Sequence, residues 1–157
     1  MQDDEIIKAF ETFDEDKDSL VISSSSLDNI PLTNYSPFVK KEGAYYICVS
    51  SNLPHYKNMI ETKRAHVMII EDEKDAEHIY ARKRLYFGVS CELEPDQESI
   101  FKLFDARYGT ALSFMRNMKD FKVIKLIPHE KSLVLGFGAA YRMNLKGELE
   151  YKKIKHQ

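Results

Sequence analysis

Short connections between strand-like runs constrain the fold of this chain more than any other feature of its sequence. Apolar and β-branched residues predict strands over residues 20–26, 32–40 and 44–51. The segments between these runs, residues 27–31 and 41–43, are too short for the crossover that parallel strands need. Neighbouring strands are therefore expected to run antiparallel.

The run at residues 84–94 is the longest strand candidate, and its residues alternate in polarity. Because successive side chains of a strand point to opposite faces, one set should face the core and the other a wetter surface. The core set is Leu85, Phe87, Val89, Cys91 and Leu93, and the wetter set is Arg84, Tyr86, Gly88, Ser90 and Glu92.

Further apolar runs predict strands over residues 65–70, 121–127, 132–137 and 141–145. Helical spacing predicts helices at about residues 3–13, 54–61, 96–108 and 110–118. No regular alternation of strand and helix is present, so a mainly β fold is expected, an antiparallel closed or partly closed barrel with peripheral helices.

The length of 157 residues with 43% apolar content supports one core, so we expect a single domain over residues 1–157. It would begin with the short helix at about 3–13 and end in a flexible tail at about 147–157. Nearly balanced charge, net −2, predicts no attraction to nucleic acid. An acidic amino terminus and the lack of a long apolar run predict a soluble cytoplasmic protein. Cys48 and Cys91 lie in apolar runs and are expected to be buried thiols.

The basic run Arg82-Lys83-Arg84 enters the long strand, and alternation would place Arg82 and Arg84 on one side, facing one pocket. Guanidinium groups suit bidentate binding of carboxylates or phosphates, such as a haem propionate or a flavin phosphate. The alternative is a solvated strand end that pairs with Glu71-Asp72-Glu73. Spacing alone slightly favours this alternative.

The segment Gly136-Phe137-Gly138 interrupts a predicted strand. Glycines in a strand indicate a bulge or the close approach of a backbone or ligand, and a purely architectural role is the simpler explanation. Phosphate-loop, dinucleotide, zinc-protease and hydrolase-elbow motifs are absent from the sequence. His55, His66, His78 and His129 are scattered without metal-ligand spacing, which favours structural or surface roles.

Taken in order, several runs resemble the haem-utilisation proteins of the HugZ and HutZ type. The runs that carry the resemblance are residues 35–38, 45–50, 69–73, 81–85, 119–121 and 136–141, within a similarity that extends from about residue 6 to residue 147. The resemblance implies a split β-barrel of the pyridoxamine 5'-phosphate oxidase-like, FMN-binding superfamily. It further implies a homodimer that holds haem between its subunits, with a role in iron acquisition.

The resemblance also implies roles for particular residues. Arg84 matches the arginine that lies beside haem and would be catalytic, while Arg82 or Lys83 would bind a propionate. His156 would ligate the haem iron from the tail. The tail is shorter than in family members that use such a ligand, and Ser113 replaces their supporting acidic residue. A hydroxyl cannot raise the basicity of an imidazole as a carboxylate does, so iron ligation should be weaker.

Three functions therefore remain open. The first is a haem oxygenase that opens the porphyrin, releases iron and takes electrons from an unidentified donor. The second is a haem carrier or store without turnover, which the short tail and Ser113 favour. The third is an FMN-binding flavin oxidoreductase on the same barrel. None of the three requires nucleic acid or a membrane.

Overall fold

Antiparallel pairing organises the chain, whose computed structural model describes residues 1–150. These residues form a nine-stranded sheet in the order β2-β1-β5-β6-β7-β4-β3, with β8 paired to β7 and β9 to β8. The strands are β1 (Ser19–Ser25), β2 (Pro31–Pro37), β3 (Val39–Lys41), β4 (Ala44–Ser50), β5 (Arg64–Ile70), β6 (Arg84–Leu93), β7 (Phe121–Val134), β8 (Ala140–Met143) and β9 (Leu149–Glu150). The mainly β fold expected from the sequence is confirmed.

Three α-helices lie outside the sheet of the described chain: α1 (Asp3–Thr12), α2 (Pro54–Thr62) and α3 (Gln97–Tyr108). The carboxylate of Asp96 accepts a hydrogen bond from the Ser99 N–H at 3.3 Å and so caps the start of α3. Short 3-10 helices cover Glu73–Asp75, Ile79–Ala81 and Gly109–Asn117. Within residues 1–150 we find no helix with the length and apolar character that crossing a bilayer requires.

Strand β4 is buried along its whole length because both of its faces are covered. Tyr45, Ile47 and Val49 point into the main core with residues from β1, β5, β6 and β7. Tyr46 and Cys48 point the other way, into a second core under α3 and the 3-10 helix Gly109–Asn117. This explains why the sequence of β4 is a continuous apolar run rather than an alternating one.

Strand β6 alternates as predicted, with buried positions between half-buried ones from Arg84 to Cys91. The prediction is wrong for Leu93, which is 48% exposed. Leu93 is the last residue of β6, where the strand has left the core.

Several predicted strand boundaries are also wrong. Residues 121–134 form one strand, β7, which passes through Pro128 beside a register shift between Phe87 and Val89, and residues 135–137 of the predicted strand 132–137 lie in the turn that follows β7. A bulge of this kind tolerates a proline. The predicted strand at 32–40 breaks at Phe38, whose N–H and carbonyl both bond to the Tyr108 hydroxyl, at 3.2 and 2.6 Å, instead of to a strand.

The Gly136–Gly138 segment is a turn between β7 and β8, not an interruption within a strand. The Leu135 N–H donates to the Ala139 carbonyl at 2.9 Å and closes the turn. Gly138 has a φ of 68°, a conformation that favours glycine. Leu149–Glu150, which the sequence analysis assigned to the tail, pairs with β8.

A buried charged cluster closes one end of the main core. Asp14, only 2% exposed, accepts hydrogen bonds from the Tyr45 hydroxyl and from the Lys40 ammonium, the latter at 3.1 Å. The Lys131 ammonium lies 5.4 Å from the centroid of the Phe87 ring. Burial, and the like charge of Lys40, lower the pKa of Lys131. Asp14 is thus the anion that offsets two cations near the core.

We expect the variant Asp14→Asn to lose about 1–3 kcal/mol of unfolding free energy, since it leaves Lys40 and Lys131 without their anion and Lys40 stays partly solvated. Urea denaturation measures this loss. The matched variant Asp28→Asn, at an exposed turn position, should change stability by less than about 0.5 kcal/mol. Equal losses in the two variants would contradict the assignment.

Candidate functional site

The two short runs that stand out in the sequence lie side by side in the sheet. Residues 81–85 lead into β6, and residues 136–141 join β7 to β8. Arg84 at the start of β6 pairs with Val134 at the end of β7. The ring centroids of His78 and Phe137 are 4.7 Å apart, so the loops before β6 and after β7 also touch.

One face of this sheet points away from the main core, and we call it the outer face. A row of paired residues crosses it from β1 to β8: Val21 with Met68, Met68 with Tyr86, Tyr86 with Ser132, and Ser132 with Arg142. Directly paired residues place their side chains on the same face. The row therefore forms a continuous floor beside Arg84.

Arg84 lies at one end of this floor. It lines a cavity of about 340 Å³ together with Val21, Ser23, His66, Met68 and Tyr86. Its Nη1 donates to the Arg82 carbonyl at 2.9 Å. The other guanidinium N–H groups of Arg84 form no hydrogen bond or ion pair with a described residue, so they can bind an added group.

A second cavity of about 600 Å³ continues from the first and shares His66 and Tyr86 with it. Its other lining residues are Phe87, Gly88, His129, Glu130, Ser132, Arg142 and Leu145. We call the two cavities together the outer groove. Its lining is mixed: aromatic and aliphatic residues lie among polar and charged ones that could orient a ligand.

The middle of the outer groove depends on Gly88. A Cβ at this position would lie 3.3 Å from Nδ1 of His129, which is closer than an ordinary van der Waals contact. The imidazole of His129 can therefore pack over the strand, with Nε2 at 2.8 Å from the Ser90 hydroxyl. The sequence does not identify Gly88 and His129 as groove residues, because the bulge between β6 and β7 that brings them together cannot be read from the sequence.

The positive charges around the outer groove are not equivalent. Arg142 forms ion pairs with Glu130 and, at 3.6 Å, with Glu150, so its charge is offset. No ion pair with a carboxylate of residues 1–150 is formed by Arg84. Arg84 is therefore the arginine of the outer groove that can attract an anion.

Arg82 and Lys83 do not share the surroundings of Arg84. Arg82 precedes the first residue of β6, so strand alternation does not orient it. Its guanidinium binds the Glu71 carbonyl, with Nε at 3.2 Å, and lies 3.6 Å from the Glu73 carboxylate. The expectation that Arg82 and Arg84 face one pocket is therefore wrong. Lys83 is exposed and lines a separate cavity with Glu71 and Asp72.

His66 is the histidine that belongs to both parts of the outer groove. Its ring centroid lies 6.1 Å from that of Tyr86. Partial burial lowers the pKa of the His66 imidazole below its ordinary value. No cluster of residues able to hold a bare metal ion occurs in the part of the chain that the structure describes.

His156, the predicted iron ligand, lies outside the described residues. Ser113 is half-buried, and its hydroxyl donates to the Thr110 carbonyl at 2.8 Å. Cys48 and Cys91 are buried free thiols, as predicted. Burial raises the pKa of each thiol to about 12. Both therefore stay protonated at neutral pH and are unsuited to nucleophilic chemistry.

The chain is similar in sequence to the heme oxygenase HutZ of Vibrio cholerae, with 29% identity over 136 residues, 84% of this chain and 77% of HutZ. This chain is a homologue of HutZ. No protein-family model matches it. The HutZ crystal structure, described as that of a heme storage protein, superposes with a TM-score of 0.72 at 24% identity, and covers 82% of this chain and 92% of HutZ.

Two further structures define the fold of this HutZ homologue. ChuZ of Campylobacter jejuni has a TM-score of 0.87 at 23% identity, over 97% of this chain and 64% of ChuZ. A pyridoxamine 5'-phosphate oxidase-like protein of Listeria innocua has a TM-score of 0.59 at 19% identity, over 83% of this chain and 96% of that protein. The fold is therefore the split barrel that the sequence analysis expected.

We expect the imidazole of His66 to titrate with a pKa below about 6.5, because desolvation penalises its charged form. Histidine side-chain NMR signals recorded against pH give this value. Tyr86→Ala removes the neighbouring ring and should move the pKa of His66 upward. A pKa of His66 at or above the ordinary value in the parent protein would contradict the described environment.

Proposed function

We propose that this HutZ homologue binds haem in the outer groove and serves haem utilisation. The observation that carries the proposal is the position of Arg84, a cation without a carboxylate partner among residues 1–150, at the end of an aromatic and aliphatic floor. Its relative HutZ carries the names heme oxygenase and heme storage protein. The residues of the groove suit a flat, largely apolar group with anionic substituents.

The fit of haem follows from the side chains present. Tyr86, Met68 and Val21 give a low apolar floor, and Gly88 adds no side chain to it. Arg84 can donate at least two hydrogen bonds to an anionic or oxygen-containing group. Lys83 carries an ammonium without an ion pair to a described residue, but it lines a separate cavity with Glu71 and Asp72, so it could meet a propionate only beyond the outer groove.

Bound haem, with oxygen and electrons from a donor, would supply the chemistry that opens the porphyrin and releases iron. The residues of the chain would hold and orient the haem. In the proposal Arg84 is the catalytic residue and donates hydrogen bonds toward the reacting side, while Lys83 or Arg82 binds a propionate. His156 would hold the haem iron.

A haem store without turnover is the second candidate. The observation that favours it is Ser113, whose hydroxyl is directed to the Thr110 carbonyl and cannot act as a carboxylate would on an iron-bound imidazole. An FMN-binding oxidoreductase is the third, since the Listeria relative is named for a pyridoxamine 5'-phosphate oxidase.

A homodimer that covers the outer groove is part of the proposal. Tyr80 is 84% exposed and Phe137 is 69% exposed, and both lie in the loops beside Arg84. Exposed aromatic side chains of this kind are common at subunit interfaces. Light scattering on the purified protein measures its mass in solution and so tests whether it is a dimer. We further propose a cytoplasmic location.

Titration of the purified protein with hemin should give a saturable Soret shift, and Arg84→Ala should raise the Kd about 10- to 100-fold because a charge-assisted contact is lost. The control is Lys102→Ala, which removes one positive charge from an exposed position on α3, away from the outer groove. It should bind hemin as the parent does. Equal affinity of all three proteins would refute the role of Arg84.

Addition of ascorbate in air to the hemin complex then distinguishes the oxygenase from the store. Decay of the Soret band in the parent, slowed in Arg84→Ala, supports the oxygenase, and a stable band supports the store. A parent protein that binds FMN and gives no specific shift with hemin would favour the flavin oxidoreductase and overturn haem binding.

A further inference from the structure

His66 occupies the centre of the outer groove. It projects from β5 and lies between Ser23 of β1 and Gly88 of β6, its two paired neighbours. Both cavities of the groove include it. Serine and glycine are small, so Ser23 leaves space on one side of the imidazole, and on the other side the ring of His129 packs over Gly88.

The ring nitrogens of His66 are available to a ligand. Neither nitrogen hydrogen-bonds to a residue in the described part of the chain. By contrast, Nε2 of His129 lies 2.8 Å from the Ser90 hydroxyl, and Nδ1 of His78 accepts a hydrogen bond from the Tyr80 N–H at 3.2 Å. His66 thus differs from His129, the other histidine of the outer groove, in forming no such hydrogen bond with a described residue.

We propose that His66 is a haem-iron ligand supplied by the sheet itself. The proposal rests on haem binding in the outer groove. With the iron over His66, the porphyrin would lie along the floor beside Tyr86, whose ring centroid is 6.1 Å from that of His66. Arg84 lines the same cavity, so it would also contact the bound haem.

A sheet-based ligand has a consequence for the choice between turnover and storage. If His66 and the tail histidine, His156, both held the iron, the two imidazoles would give a low-spin ferric complex. Such a complex would suit holding haem better than oxidising it, which favours the storage function. The described chain would in that case hold haem without relying on the tail alone.

The test compares the ferric hemin complexes of the parent, His66→Gly, His129→Gly and His156→Ala by absorbance and electron paramagnetic resonance. We expect His66→Gly to lose the low-spin signal of the parent and to raise the Kd for hemin at least about tenfold. Added imidazole should restore the low-spin signal in His66→Gly by filling the space of the lost ring. His129→Gly tests the other histidine of the outer groove: loss of the parent signal in His129→Gly but not in His66→Gly would overturn the proposal.

The possible results distinguish failure of the ligand proposal from failure of haem binding. A parent complex whose signal survives in His66→Gly overturns the proposal and leaves haem binding by the chain intact. Loss of the signal in His156→Ala alone also overturns it. If the parent gives no specific hemin complex, the proposed function itself fails. Circular dichroism of His66→Gly checks that the fold is retained, which the exposure of His66 predicts.

Discussion

The antiparallel pairing of β6, with β5 on one side and β7 on the other, is the constraint on which both the core and the outer groove depend. Alternate residues of β6 face opposite ways. Leu85, Phe87 and Val89 are buried in the main core, so Arg84 and Tyr86 must face outward. A one-residue slip of the strand would bury the arginine and expose the core, which makes the register strongly specified.

Ion pairs and hydrogen bonds distinguish arginines that look alike in the sequence. The guanidinium of Arg82 is held by the Glu71 carbonyl and the Glu73 carboxylate, and that of Arg142 by Glu130 and Glu150. Arg84 has no such carboxylate in the described chain. The fold therefore offsets the charges of Arg82 and Arg142 and leaves Arg84 able to bind an anion, which is the basis of the proposed function.

Local sequence patterns correctly predicted the features that depend on a single strand or helix. The alternation of β6 predicted the outward direction of Arg84, and the continuous apolar run predicted β4. Pro128 was misread as a break because the bulge that accommodates it depends on the pairing of β7 with β6. The sequence also does not place His66 in the outer groove. Its position beside Tyr86 follows from the register of β5 and β6, which a single sequence does not show.

The central claim is that haem binds on the outer face between β5, β6 and β7. Ferric iron broadens the NMR signals of nearby nuclei, so the amide spectrum of the protein with and without hemin locates the iron directly. We predict selective broadening at Met68, Tyr86 and Gly88, with the amides of α3 unaffected. Broadening centred on α3, or spread evenly over the chain, would contradict the account.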